Sequence, residues 1–211
     1  MLDRVARLLK VRLGLPLPGN DAHQHMAHAE RRDFFKKYNV PADARQSCVL
    51  LLLYEKAGTL HLPLIVRQQD GRVHGGQVSF PGGKVEPHDE HLSATALRET
   101  YEEIGIDADE MLMLGRLSDI YIPPSNFRVH PFVAMHRGNP FFKPDPREVH
   151  RVVSFPVEHL MESQNRRETT ITLSSGREIQ TPAFVYDGVV IWGATAMILS
   201  ELKAVLTELE L

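Results

Sequence analysis

A chain of 211 residues is long enough to bury one substantial core, and with 43% hydrophobic and 24% charged residues it has the balance of an ordinary folded domain. Lysine and arginine number 24 against 27 aspartate and glutamate, a net charge of −3, so no basic excess marks it for nucleic acid and any anionic substrate must be met by locally placed donors. No apolar run approaches the roughly 18 residues of a membrane span, and the single cysteine, Cys48, excludes an internal disulfide and points to a reducing, cytoplasmic setting.

In chain order, residues 1–40 read as a helical extension ahead of a domain covering 41–211. Residues 1–13 predict a helix, with Val5, Leu8, Leu9 and Leu13 near helical spacing and Gly14 with LPLPGN to end it. The segment is arginine-rich, as transit peptides are, but Asp3 and the lack of serine run against that reading, and no continuous apolar stretch supports a secretory signal. A helical or irregular stretch over 21–38 carries His23, His25 and His28. No carboxylate or cysteine completes a metal set at ligand spacing, so these histidines are expected to be solvated.

Residues 46–54 and 60–67 read as the strands of a hairpin turned at 56–59. Cys48 lies in the first, within SCVLLLLY, and is expected to be a core thiol and not a nucleophile. A glycine-rich polar loop leads to Phe80. Residues 112–119 and 127–136 read as strands around YIPPSN, where Asn126 suits a left-handed turn, and Phe127, Val129 and Phe132 serve either the core or a wall against a base. After the proline-rich stretch 138–147, Glu148 opens a strand over 149–155, and a short helix covers 157–162. Residues 169–173 with 178–181, and 183–186 with 189–192, predict two hairpins, and a helix with a wide apolar face closes the chain over 194–211.

The organising stretch is FPGGKVEPHDEHLSATALRETYEEIGI, from Phe80 to Ile106. On a helix Glu99, Glu102 and Glu103 fall on one side, while Ala94, Leu97, Tyr101 and Ile104 form an opposite stripe suited to packing on a sheet. Like charges at this spacing cost about 0.2–0.5 kcal/mol per pair, and no basic residue at 95, 96 or 106 relieves them. A hard divalent cation with oxygen ligands, Mg²⁺ or Mn²⁺, is the expected partner. Gly82 and Gly83 let the loop bring a backbone carbonyl beside that ion. Asp89 or Glu90 is expected to cap the helix start, Arg98 to pair with Glu86 or Glu90, and Gly105 to stop the helix.

These residues resemble the Nudix box, G-x5-E-x7-R-E-U-x-E-E-x-G-U with U aliphatic. Arg98 to Ile106 follows its second half, with Thr100 the one departure. The first half is one residue longer than the box: counting from Gly83 reaches Asp89, and counting back from Arg98 reaches Glu90, so either carboxylate fills the first acidic position. A longer loop with Asp there is similar to the coenzyme A pyrophosphatase branch. Leu64, Ile65, Arg67, Arg72, Gly76 and Phe80-Pro81-Gly82-Gly83 also resemble that branch's signature, with departures at Val66 and Gln68, and WGATAMIL resembles its C-terminal end.

The resemblance spans roughly residues 45–205 and implies the α/β Nudix fold, a mixed β-sheet sandwiched between helices. It implies hydrolysis of the diphosphate of coenzyme A or acyl-CoA to 3′,5′-ADP and 4′-phosphopantetheine. Glu99, Glu102, Glu103 and the Gly82 carbonyl would hold the metal. Glu103 or Glu148 would accept the proton of the attacking water, with Glu102 and Arg98 in the catalytic set. Arg67, Arg72, His74, Lys84 and Phe127 would meet the substrate. The implied partner is a small nucleotide, not nucleic acid or membrane, and a homodimer stays open. The alternatives are hydrolysis of ADP-ribose or a dinucleoside polyphosphate, a non-catalytic nucleotide sensor of the same fold, and a structural acidic helix without a ligand.

Overall fold

The structure is a computed structural model and describes residues 2–37, 40–68, 76–173 and 175–209. Helix α1 (Leu2–Leu13) buries Val5, Ala6, Leu9 and Leu13. Two short helices follow, α2 (Asn20–His23) and α3 (Ala29–Lys37). His23 is not solvated as expected. It is fully buried, with Nε2 2.9 Å from a carboxylate oxygen of Glu201, which also accepts from Ser118 Oγ at 2.6 Å and from the Gly19 amide at 3.0 Å. The partner lies 178 residues away, beyond any local spacing rule.

Strands β1 (Arg45–Lys56) and β2 (Thr59–Arg67) form the expected hairpin, and Ala57 and Gly58 turn it with φ of 51° and 83°. Short strands β3 (Val78–Ser79) and β4 (Gly82–Lys84) add antiparallel partners to β2 and β1 respectively. Helix α4 (Leu92–Ile104) then crosses to β5 (Met111–Arg116), β6 (Ile120–Ile122) and β7 (Phe127–His136). Strand β7 lies parallel to β1, from Arg45 opposite Phe127 to Leu53 opposite Met135. A parallel pair needs a long connection, and the segment carrying α4 supplies it. Asn126 takes the left-handed turn conformation expected of it, with φ of 51°.

Strand β8 (Val149–Pro156) pairs with β2 and completes an eight-stranded mixed sheet. After α5 (Val157–Met161) come β9 (Arg166–Thr172), β10 (Glu178–Tyr186) and β11 (Val189–Ile191), a three-stranded antiparallel sheet. The two separate hairpins expected here are one meander. β10 continues through Pro182, which stands opposite Glu168, because a proline removes a single ladder donor while its neighbours stay paired. Helix α6 (Gly193–Thr207) ends the ordered elements.

Alternation along β1 divides the core. Cys48, Leu50 and Leu52 face Ala96 and Ile104 of α4, whereas Leu51 and Leu53 face Leu9 of α1 and Leu199, Leu202 and Val205 of α6. The sheet is thus sandwiched between helices, and ahead of residue 41 helix α1, with Met26 and Ala27, shares its core. Cys48 is fully buried, and burial pushes its thiol up to about 11, as befits a core residue. Among the described residues no helix is long and apolar enough to cross a membrane.

Candidate active site

Strand β4 lies under α4, and two missing side chains make this possible. A Cβ at Gly82 would sit 2.3 Å from the Cys48 carbonyl oxygen, and one at Gly83 would sit 2.4 Å from the Glu99 carboxylate. The glycines therefore let β4 press on β1 and let Glu99 press on β4. Glu103 is 1% exposed. Its Oε2 accepts from the Gly82 amide at 2.8 Å, while Oε1 lies 3.3 Å from Arg67 Nη2 and makes no hydrogen bond. The same Arg67 nitrogen donates to the Gly82 carbonyl at 3.2 Å. Burial pushes the Glu103 carboxyl up to about 7, against the opposing pull of Arg67.

A second arginine organises the other glutamates. Arg98 Nη1 donates to Glu99 at 2.9 Å and to Glu102 at 3.2 Å, while Nε and Nη2 grip Asp89 at 2.9 and 3.0 Å and Nη2 reaches the Lys84 carbonyl at 3.2 Å. Asp89 also accepts from Thr95 Oγ1 at 2.8 Å and from the Glu86 amide at 2.9 Å. The Arg98 guanidinium, with these bonds, holds the Asp89 carboxyl well below the usual carboxylate range. Burial raises Glu99, and its hydrogen bond to Arg98 opposes the rise.

Four sequence expectations change here. Arg98 pairs with Asp89, not with Glu86 or Glu90; Glu86 lends its amide to the same carboxylate, and Glu90 is exposed. The helix cap is His91, whose Nδ1 accepts from the Ala94 amide at 2.9 Å. The expected packing stripe holds at Ile104 and Leu97 but not at Tyr101, which is 55% exposed, and α4 also buries Thr95, Ala96, Thr100 and Glu103. Thr100 fits this buried face because its hydroxyl donates to the Ala96 carbonyl at 2.7 Å. Finally, the glutamates do have cationic partners, one from the adjacent position 98 and one from β2.

Glu148 reaches this region through the proline-rich loop. The Lys143 and Asp145 amides take up the Ile104 and Glu103 carbonyls at the end of α4, at 2.9 and 3.0 Å, and the Glu148 amide bonds Asp145 O at 3.1 Å. Gly105 permits the passage, with φ of 72° and space for a Cβ only 2.9 Å from Lys143 Cβ. Glu148 is exposed, and its charge acts on both Glu99 and Glu103. Glu102, Tyr101, Lys143, Asp145, Arg147 and Glu148 line a cleft of about 530 Å³.

The remaining expected substrate contacts are spread out. Lys84 is exposed at the end of β4. Phe127 lies under the Arg45 guanidinium, 4.1 Å from ring centroid to carbon. It pairs with β1 four residues before the Val49–Gly82 pair, roughly 13 Å along the strand. Arg72 and His74 lie outside the described residues.

The donors suit a hard divalent cation. Three carboxylates and a backbone carbonyl offer only oxygen, and Glu103 Oε1 is buried with no hydrogen bond, facing only the Arg67 guanidinium at 3.3 Å. Among the described residues no three acidic, histidine or cysteine side chains are already gathered as a metal cage. Arg98 holds Glu99 and Glu102 and Arg67 holds Glu103 instead.

A mixed sheet between helices, with a glutamate-bearing helix over a glycine strand, defines a Nudix-type hydrolase. Residues 44–173 match the NUDIX domain, and the chain belongs to the Nudix hydrolase family. It is 31% identical over 195 residues to the uncharacterized Nudix hydrolase NudL of Yersinia pestis, covering 92% of this chain and 89% of that one. It is 35% identical over 126 residues to the human mitochondrial coenzyme A diphosphatase NUDT8, covering 59% of this chain and 53% of the human protein, about half its length. Similar solved structures include the Nudix hydrolase RenU of M. smegmatis, with a TM-score of 0.54 and 16% identity over 80% of this chain and 89% of that one. A MutT/nudix protein of Enterococcus faecalis has a TM-score of 0.52 and 18% identity over 89% and 73% of the two chains. At these identities the structures share the fold alone, and it is the Nudix fold expected from the sequence. Nudix hydrolases generally need divalent metal ions.

Proposed function

We propose that this enzyme hydrolyses the diphosphate of coenzyme A or an acyl-CoA, releasing 3′,5′-ADP and 4′-phosphopantetheine, with Mg²⁺ or Mn²⁺ as cofactor. The observation that carries the catalytic part is the buried Glu103 carboxylate, fixed against Gly82 and flanked by Glu99. The substrate rests on the signature from Leu64 to Gly83 and on the human relative, which is named as a coenzyme A diphosphatase. A reducing, cytoplasmic setting fits the unpaired, buried Cys48, although the human relative is named as mitochondrial. A homodimer is the assembly to check by light scattering.

Glu99, Glu102, Glu103 and the Gly82 carbonyl would hold the ion, which when bound neutralises phosphate charge and acidifies water. Arg98, anchored by Asp89, sets the orientation of Glu99 and Glu102. The Gly82 amide fixes Glu103. Glu148 takes the proton of the attacking water, because it is exposed at the cleft while Glu103 is buried, bound by the Gly82 amide and assigned to the ion. The 3′-phosphate of coenzyme A calls for cationic donors, and Arg72, His74 and Lys84 are assigned to it by their position in the chain.

The test is a panel of nucleotides incubated with Mg²⁺ or Mn²⁺, with products separated by chromatography. Coenzyme A should be cleaved faster than 3′-dephospho-coenzyme A, ADP-ribose or a dinucleoside polyphosphate, and Arg72→Ala should remove most of the preference over the dephospho form. Equal rates across the panel would leave a Nudix hydrolase of other specificity, and no turnover of any member would leave a sensor. Glu102→Gln should lower turnover at least about tenfold, equivalent to roughly 1.4 kcal/mol of barrier.

A further inference from the structure

We propose that Arg67 occupies the cation's place at Glu103 and Gly82, and that a divalent ion displaces its guanidinium and frees it to grip the substrate's diphosphate. This rests on the reading above that Glu103 and the Gly82 carbonyl are ion ligands.

One nitrogen makes both contacts. Arg67 Nη2 lies 3.2 Å from the Gly82 carbonyl oxygen and 3.3 Å from Glu103 Oε1. An ion ligated by both oxygens claims the same lone pairs and repels the positive guanidinium, so ion and arginine compete for the position. Arg98 repeats the arrangement, with Nη1 between Glu99 and Glu102 at 2.9 and 3.2 Å. The two arginines differ in their anchors. Arg98 keeps Asp89 and the Lys84 carbonyl through its other nitrogens, so it can release Nη1 and stay in place. Arg67 has Glu103 as its only carboxylate among the described residues.

Displacement therefore leaves Arg67 without a carboxylate among the described residues, and its side chain, 31% exposed, already has a route to solvent. It stands at the end of β2, beside the site and ahead of the loop that returns to Gly82. A released guanidinium there meets phosphate oxygens with forked hydrogen bonds. Ion binding would thus create the diphosphate-binding cation, coupling the two ligands through one side chain.

The full-length chain should be titrated with Mn²⁺, following the paramagnetic resonance of the free ion, and with ADP at saturating Mn²⁺ by calorimetry. Arg67→Gln is expected to bind Mn²⁺ about fivefold more tightly than wild type and ADP about fivefold more weakly. Opposite signs distinguish exchange from a structural role, which would weaken both. Arg67→Lys, which keeps the charge and protects against a folding failure of the glutamine variant, should fall between the two. Arg128→Gln, which removes a positive charge paired with Asp119, should leave Mn²⁺ affinity at the wild-type value. The inference is overturned if Glu103→Gln weakens Mn²⁺ binding while Arg67→Gln leaves it equal or weaker. If Glu103→Gln leaves Mn²⁺ affinity unchanged, the ion-site reading falls and takes the inference with it.

Discussion

Replacing Glu103 by glutamine should stabilise the protein at alkaline pH in EDTA while removing its ability to bind the ion. Burial raises this carboxyl from 4.5 to about 7. Because the folded value lies above the unfolded one, the folded state holds the proton more tightly across that interval. The stability linked to that proton is fully present below pH 4.5 and is lost as pH rises through about 7. The gap of roughly 2.5 pH units, at about 1.36 kcal/mol each, sets an upper bound near ~3 kcal/mol. With Glu103 1% exposed, little solvent screening reduces it.

Glutamine offers an oxygen to the Gly82 amide and carries no charge at any pH. It should therefore recover on the order of 1–3 kcal/mol above pH 7, about 2–12 °C in melting temperature for a chain of this size. Thermal unfolding of both proteins from pH 5 to 9 in EDTA reads this directly, and the gap should close toward the acid end. Saturating Mn²⁺ should reverse the order, since only wild type gains stability by binding the ion tightly. A variant less stable than wild type at pH 8 in EDTA, or a difference independent of pH, would refute the reasoning.

Glu148→Gln should lower kcat more than it raises KM, and steady-state kinetics showing unchanged kcat would move the proton acceptor back into the helix. Asp89→Asn breaks the grip on Arg98 and should destabilise by about 1–3 kcal/mol through lost charge-assisted hydrogen bonds. Because the Asp89 carboxyl is depressed in the fold, its contribution is present above about pH 4 and lost below it, so the gap in acid unfolding between wild type and variant should narrow there. Gly83→Ala places a Cβ 2.4 Å from the Glu99 carboxylate and should reduce both melting temperature and turnover; a fully active alanine variant would show that Glu99 need not pack against β4.

Local spacing was enough to place most elements. The β1–β2 hairpin, β7 and the span of α4 between the Pro-Gly-Gly turn and Gly105 follow from apolar alternation, turn residues and helix-stop chemistry, all set by covalent geometry over a few residues. The glutamate pattern was likewise legible, because the 98–106 segment keeps the spacing of its family. The inward face of α4 was legible only in part. Of the apolar stripe Ala94, Leu97, Tyr101 and Ile104, Ile104 is buried and Leu97 packs against the core, but Tyr101 is exposed and the helix also turns Thr95, Thr100 and Glu103 inward. Gly82 lets β4 press on β1, Gly83 makes room for the Glu99 carboxylate, and Arg67, brought from the end of β2, offsets part of the glutamate charge. Only sheet pairing brings those residues together. The choice of Asp89 as the partner of Arg98, and the burial of His23 against Glu201, have the same origin. Each depends on backbone paths that meet in space, and local periodicity carries no information about such meetings.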